Sequence, residues 1–431
     1  MPQSPLGTKV WIPPPRIESL RVRNFRALRD VHLKKIQPFT VLTGPNGSGK
    51  STLLDALAFL AESFEGGLRK AWDRRGRFKE LRTRDSIGPV TFDVQFRERR
   101  GRPLITYHLE VNEDESTSGP VVAREWMDWK DGPAGRPTRF LDFGRRRPGF
   151  GRVRSILKRG GQRYKMPSSE EEMESHEVLA ADAYGQFTGF PEVAALRRFI
   201  TGWHLPHLDT NRLRSIADSS PQEHLSASGD NLANVIQYLT ERHEPVLRTI
   251  LKRLVEGVPR LEGVATDAFP DGRLSLQFKD APFSRPIDAR FASDGTLRML
   301  AYLCLLHDPA PPKLIGLEEP ENQLHPRLLP LLAEECRDRS SVSQLLVTTH
   351  SPYFVNALRS EEVWVLFRDA KGYSKTRRVC DIPRIRELME HGALLGQLWM
   401  EGQFDVGDPL TGDGDVIHNG VQPNDGDGDA P

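Results

Sequence analysis

The sequence predicts an α/β fold centred on a mostly parallel sheet, and three observations carry that prediction. The apolar run PFTVLTG ends in glycine and leads straight into a glycine-rich loop. Leu53, Leu54, Leu57, Ala58, Leu60 and Ala61 then follow at helical spacing, giving strand, loop and helix in order. The C-terminal third alternates the two periods: SDGTLRMLAYLCLL as a helix starting at Ser293, PKLIGLEE as a strand, HPRLLPLLAEECRDR as a helix and SQLLVTTH as a strand. Thirdly, VTFDVQF (90–96) and LITYHLEV (104–111) alternate apolar and polar residues on either side of a polar turn, as paired strands of an antiparallel meander do. The expected architecture is therefore a mixed sheet, a meander lobe and, between them and the C-terminal lobe, an inserted helical and basic segment.

Composition bounds this picture. At about 150 residues per domain, 431 residues allow several cores or one composite domain with insertions. Sixty Lys and Arg against fifty-nine Asp and Glu leave a net charge of +1, so any preference for a partner must come from how the charges are distributed. The richest apolar stretch, 297–306, is interrupted by Arg298 and is too short to span a bilayer. The N-terminus has neither a basic, then apolar, leader nor a small-residue cleavage site, so the expected location is the cytoplasm, with no membrane partner. Cys304, Cys336 and Cys380 are scattered without a CxxC pair, which argues against a disulfide framework and a cysteine zinc site.

Taken in order, residues 1–15 hold five prolines and are expected to form a flexible leader. IESLRVRNF and VHLKKI read as half-buried strands opening an N-terminal lobe over 16–111. An insertion over about 112–230 follows, in which regular alternation is lost. Between Arg136 and Lys165 it carries eleven Lys or Arg and one acid, Asp142, as either a flexible basic arm or a basic surface element. WHLPHLD is expected as a strand and turn. In the segment 231–289, Leu232, Val235, Ile236 and Leu239 mark one helix over 231–254, and RLSLQF marks a strand. The lobe 290–400 holds the alternation described above. Residues 401–431 contain eight acids and no Lys or Arg, and are expected to be a disordered acidic tail; their DG steps lack the ligand positions of an EF-hand.

The chemistry concentrates at three strand ends. GPNGSGKS fits the pattern GxxxxGK[ST], placed between strand and helix as its mechanism requires. Gly44, Pro45, Asn46, Gly47, Ser48, Gly49, Lys50, Ser51 and Thr52 are the candidate ATP-binding residues. Glycines let successive N–H groups face the β-phosphate, Lys50 reaches the β- and γ-phosphates, and the Ser51 hydroxyl helps hold Mg2+. LIGLEEPEN ends an apolar strand in two carboxylates before Pro320: Glu318 for the magnesium and Glu319 as the general base that orients the attacking water. VTTHSP ends a third strand in His350, a polar group for the γ-phosphate.

The set Gly44–Ser51, Ser293–Thr296, Glu318 with Glu319, and His350, in that order, resembles the ABC-type ATPase heads of the RecF, SMC and OLD-like families, closest to bacterial RecF-like ATPases of the AAA class. The resemblance runs from about Arg16 to Gly402, with its strong motifs in fewer than fifty residues. It implies heads that pair head to tail, each nucleotide capped by the partner's signature motif. Here that motif is ASDGT, with Ser293 and Gly295 offered to the phosphates from a helix start. Asp294 stands where transporter-type heads have glycine. The family's magnesium-contacting glutamine could be Gln95, Gln162 or Gln186, with nothing to choose between them, and Asn322 and His325 fall where the family's chain crosses the dimer interface. His204, His207 and Asp209 have spacings open to a metal, though a strand and turn is the plainer reading.

DNA binding is also what the resemblance implies. The basic segments 69–84, 97–102 and 136–165 could serve double-stranded DNA through its phosphates, or be solvated insertions. The expected function is ATP-driven dimerisation coupled to DNA maintenance, repair or defence; the alternative is a nucleotide-dependent switch acting on a separately encoded protein effector such as a nuclease. An SMC-like role is disfavoured because no long heptad run divides the two halves, and an intrinsic nuclease because no convincing Toprim-type acid cluster follows His350.

Overall fold

The computed structural model describes residues 15–406 apart from 99–100, 131, 133–134, 145–149, 154–155, 160–161, 166–168, 173–176 and 187–189. Its functional centre is a six-stranded sheet in the order Trp203–His204, Leu314–Glu318, Gln344–Thr348, Phe39–Thr43, Val363–Arg368, Ser374–Arg378. The first five are parallel and the last is antiparallel. FTVLT and QLLVT are buried at every position, as expected of strands covered on both faces, which need apolar side chains without alternation. Register aligns the strand ends: Glu318 lies opposite Thr348, Thr348 opposite Leu42, and Val365 opposite Thr43. The residues that follow these positions therefore emerge at one edge. The α/β class and mixed sheet expected from the sequence are found.

Against this core lies an eight-stranded antiparallel sheet in the order Ser169–Glu172, Phe150–Val153, Thr138–Phe143, Pro120–Lys130, Leu104–Glu113, Val90–Arg97, Arg16–Phe25, Leu28–Lys34. The helix Lys50–Glu65 packs its apolar face on this sheet, with Phe59 stacked on Phe92 at 5.7 Å and tilted against Phe25 at 5.9 Å. The loss of alternation after residue 111 does not end the sheet, which gains four further strands. Within it Arg139 pairs with Asp128 at 2.6 Å and Arg124 with Asp142 at 2.5 Å. Part of the basic run belongs to these strands, whereas 145–149 and 154–155 lie outside the described residues.

Two further expectations are corrected. The single helix over 231–254 is two helices, Leu232–Arg242 and Glu244–Gly257. Pro245 has no N–H to give the carbonyl four residues back and its ring crowds that turn, so the chain breaks at His243 (φ −139°). The acidic tail does not begin at Glu401: Phe404 and Val406 are buried in the core after the helix Leu395–Met400. The rest of that expected tail, 407–431, and residues 1–14 of the leader lie outside the described residues. Among the described residues, no helix is long and apolar enough to cross a membrane.

Candidate nucleotide-binding site

Between the strand Phe39–Thr43 and the helix Lys50–Glu65 the backbone takes positive φ at Gly44 (146°), Gly47 (76°) and Gly49 (106°). A side chain at Gly44 would overlap the Leu366 carbonyl and one at Gly49 the Ser374 side chain. Glycine is therefore demanded by both conformation and space. The helix begins with no acidic residue in its first turn, which leaves the positive end of its dipole free for an anion. Ser48 Oγ is buried without a hydrogen-bond partner, and Ser51 is exposed at the first turn. Lys50 is 4% exposed, and its ammonium donates to the carbonyls of Gly44 (2.8 Å) and Pro45 (3.0 Å). Burial lowers its pKa, while Glu319, Glu321 and Glu318 push it back up. Arg368, from the neighbouring strand, clamps the loop by donating to the Gly47 carbonyl at 2.7 Å. It also lines a cleft of about 550 Å³ with Arg26, Arg82, Arg84 and Tyr373.

Two strands over from Phe39–Thr43, the chain passes Glu318 and turns at Glu319, a non-glycine residue at φ 42°. The Glu319 N–H donates to the Thr348 carbonyl at 2.9 Å, which fixes the turn to the next strand. His350 Nδ1 lies 3.6 Å from Glu319 Oε1 and 3.4 Å from Glu321 Oε1. Glu321 has an 8% exposed side chain, and its Oε1 accepts from the Thr349 hydroxyl and the His350 N–H, both at 2.8 Å. Three acids, a buried lysine, a histidine and an anion-ready helix start thus meet at one sheet edge. The donor set fits a nucleotide triphosphate with its Mg2+: N–H groups and ammonium for phosphate, hydroxyl and carboxylate for a hard cation.

The helix Asp294–Leu306 is capped by Ser293, whose Oγ accepts from the Thr296 N–H at 3.2 Å. Arg214 holds the cap from outside by pairing with Asp294 at 2.5 Å and donating to the Ala292 carbonyl at 2.7 Å. Gly295 passes close to the Gln323 carbonyl, and a Cβ there would meet that oxygen at 2.9 Å. One turn on, Arg298 donates to Gln323 Oε1 (2.8 Å), Thr210 Oγ1 (3.1 Å) and the Leu208 carbonyl (3.2 Å). It lines a second cavity, of about 310 Å³, shared with Glu318, Glu319, Asn322 and His207.

Residues 39–356 match the model of the family described as "AAA domain, putative AbiEii toxin, Type IV TA system". The chain belongs to that family. Among solved structures, this AAA-domain chain superposes on an SMC head bound to the C-terminal winged-helix domain of ScpA, with TM-score 0.51, 16% identity, and 84% of this chain and 97% of that one covered. It also superposes on the Pyrococcus furiosus SMC head bound to the C-terminal domain of ScpA, with TM-score 0.50, 15% identity, and 87% and 100% covered. At these identities the likeness is one of fold: the core has the fold of SMC head domains. The chromosome partition protein Smc of Thermoplasma acidophilum is 35% identical over 106 residues, 24% of this chain and 9% of that protein. An uncharacterized protein of Methanocaldococcus jannaschii is 34% identical over 50 residues, 12% of this chain and 23% of that one. The AAA-domain chain thus aligns with less than a quarter of the length of either curated relative.

The AAA-domain head brings Lys50, Glu318, Glu319 and His350 together, and sets Ser293 and Gly295 at a different helix start. Neither of the two candidate glutamines whose side chains are described joins them. Gln95 sits on the meander and donates to Thr106 Oγ1 at 3.4 Å, Gln186 ends the short helix Ala180–Gly185, and the side chain of Gln162 lies outside the described residues. Asn322 donates to Glu319 Oε2 at 3.3 Å, whereas His325 only accepts from the Arg327 N–H. The spacing of His204, His207 and Asp209 does not make a metal centre: His204 is largely buried, Asp209 caps the turn at Thr210–Leu213, and no group of three ligating side chains forms among the described residues. Glu321, Arg298 and Arg368 escaped the sequence reading. The third acid of EEPEN was the available signal for Glu321; nothing local marks the other two.

Proposed function

We propose that this ATPase-family head hydrolyses ATP and pairs head to tail with a second copy, in a cycle coupled to DNA maintenance, repair or defence. The observation that carries this reading is the convergence of Lys50, Glu318, Glu319 and His350 at one edge of one sheet, with Ser293 and Gly295 presented elsewhere. Lys50 and the loop N–H groups bind the β- and γ-phosphates. Ser51 and Glu318 hold the magnesium, which neutralises phosphate charge when bound. Glu319 accepts a proton from the attacking water, and His350, held by Glu321, donates toward the γ-phosphate. Pairing is supported by apolar groups exposed beside both surfaces: Phe291, 78% exposed, two residues before Ser293, and Tyr353, 57% exposed, three after His350.

The test is ATP turnover with and without double-stranded DNA at two salt concentrations. DNA stimulation that fades with salt supports the reading, because phosphate contacts release counterions. Turnover indifferent to DNA supports a second reading, a nucleotide-dependent switch acting on a protein effector. The ion pairs favour that alternative, since several arginines of the basic segments already have acids: Arg69 with Glu177, Arg75 with Asp55 and Glu62, Arg97 with Glu18, and Arg139 with Asp128. The family description, which speaks of a toxin–antitoxin system, points the same way.

A further inference from the structure

The sheet edge beside Glu318 carries a residue that the ATP site has not yet used. The edge strand Trp203–His204 runs parallel to Leu314–Glu318, with His204 opposite Ile315. Carried three residues further, the same register sets His207 opposite Glu318. The approach is close: Gly316 has no room for a Cβ because Leu205 lies over it. The backbone on both sides of His207 is pinned. Its N–H donates to the Ala227 carbonyl at 2.8 Å, the Leu208 carbonyl accepts from Arg298, and the Asp209 N–H donates to the Ser228 carbonyl at 3.2 Å. The imidazole itself is 91% exposed, opens on the cavity that Glu318 and Glu319 line, and places Nδ1 3.9 Å from Glu318 Oε2.

We propose, on the basis of the ATP-site reading above, that His207 gives an imidazole nitrogen directly to the divalent cation that Glu318 and Ser51 hold with the nucleotide. It would take the place that neither Gln95 nor Gln186 reaches, and tilt the site toward Mn2+ over Mg2+. Two donors each about 2.1 Å from an octahedral ion stand about 3.0 Å apart when adjacent and about 4.2 Å apart when opposite. The observed 3.9 Å lies between these two separations, about 0.3 Å short of the opposite arrangement and about 0.9 Å beyond the adjacent one. The protein forms no three-ligand cluster here among the described residues, as expected where phosphate oxygens complete the shell. Magnesium takes oxygen ligands almost exclusively, whereas imidazole suits first-row transition ions. A histidine in this position is thus a chemical choice with a measurable consequence. An exposed imidazole serving only solvation would have no reason to lie on pinned backbone at the register of the metal-holding carboxylate.

The experiment uses the full chain with Mn2+ and adenosine 5′-(γ-thio)triphosphate. It reads nucleotide binding by fluorescence and metal ligation by pulsed electron paramagnetic resonance on the same samples. The expected result is a nitrogen coupling typical of directly bound imidazole in the wild type, absent in His207→Gln. The variant should also lose about tenfold in Mn2+ affinity in the ternary complex while its Mg2+ affinity changes little. Bound nucleotide and Mn2+ with no nitrogen coupling in the wild type, or a coupling unchanged in His207→Gln, overturns the assignment of His207 alone. Failure of the wild type to bind nucleotide overturns the ATP-site reading and this assignment with it.

Discussion

Replacing Glu321 with alanine should cost both stability and turnover, because this acid straps two strand ends together. Its Oε1 accepts from the Thr349 hydroxyl and the His350 N–H at 2.8 Å each. Thr349 is fully buried, so its hydroxyl would be left without an acceptor; His350, with a 42% exposed side chain, sits where water can reach its backbone. An unsatisfied buried donor costs about 1–3 kcal/mol and a bond to a charged acceptor is worth about 1.5–3 kcal/mol. With the solvated donor placed at the low end, the expected loss is about 2–4 kcal/mol. If about 1.4 kcal/mol of this appears as misplacement of His350, turnover falls about tenfold. Denaturant unfolding and steady-state ATP turnover measure the two effects. A cycle with Thr349→Val isolates the strap: the double variant should be less destabilised than the sum of the singles by about 1 kcal/mol. Wild-type stability and turnover in Glu321→Ala, or an additive cycle, would show that Glu321 does not strap the two strand ends.

Lys50→Ala should abolish tight ATP binding, whereas Glu319→Gln should bind ATP, block turnover and accumulate as a dimer on light scattering; equal turnover in wild type and Glu319→Gln removes the general base. Ser293→Arg should bind ATP yet stay monomeric with it, and normal hydrolysis in that variant would defeat the composite site. For pH dependence, burial first and the neighbouring His224 second lower His204 from 6.5 to about 4. Its unfolded form therefore binds more protons than its folded form between those values. This contribution is complete above pH 6.5 and is lost as pH falls toward 4, by about 3 kcal/mol at 1.36 kcal/mol per unit. His204 Nε2 has no hydrogen-bond partner, so His204→Leu leaves none unmade and should lose less stability than the wild type between pH 6.5 and 4. Parallel stability curves for the two proteins would contradict this account.

What the sequence made legible is what local periodicity and spacing encode: the glycine loop with its helix, the apolar strands ending in Glu318 and His350, and the cap at Ser293. The outer strands of the meander were hidden by charge at positions where alternation calls for apolar residues. Glu125, in Pro120–Lys130, is 0% exposed, and burial raises its pKa to about 7. It accepts from the Tyr107 hydroxyl and from the N–H groups of Ala180 and Ala181, starting a helix fifty-five residues away. Such a residue reads as surface until its partners are known. The edge strand Trp203–His204 has only two paired residues, too few for any period to show, so the position of His207 depended on tertiary register. Pro245, by contrast, was readable as a break, and the apolar face at 232–239 drew the helix through it.

The acidic pair shows how register divides chemistry between adjacent identical residues. Glu318 is the last residue of its strand and its Oε2 faces His207, on the side of the edge strand. Glu319 leaves the strand at φ 42°, and its Oε1 faces His350, beyond the strand on the other side. A left-handed conformation costs a non-glycine residue about 1–3 kcal/mol and persists only when its surroundings over-determine it. Here they do: the Glu319 N–H is fixed to Thr348, the Asn322 N–H returns to the Glu319 carbonyl at 3.1 Å, and Asn322 Nδ2 reaches Glu319 Oε2. Strand alternation already points adjacent side chains to opposite faces, and the turn at Glu319 aims its carboxylate at His350. On the reading proposed above, Glu318 would hold a metal and Glu319 would take a proton, the division of labour that phosphoanhydride hydrolysis requires.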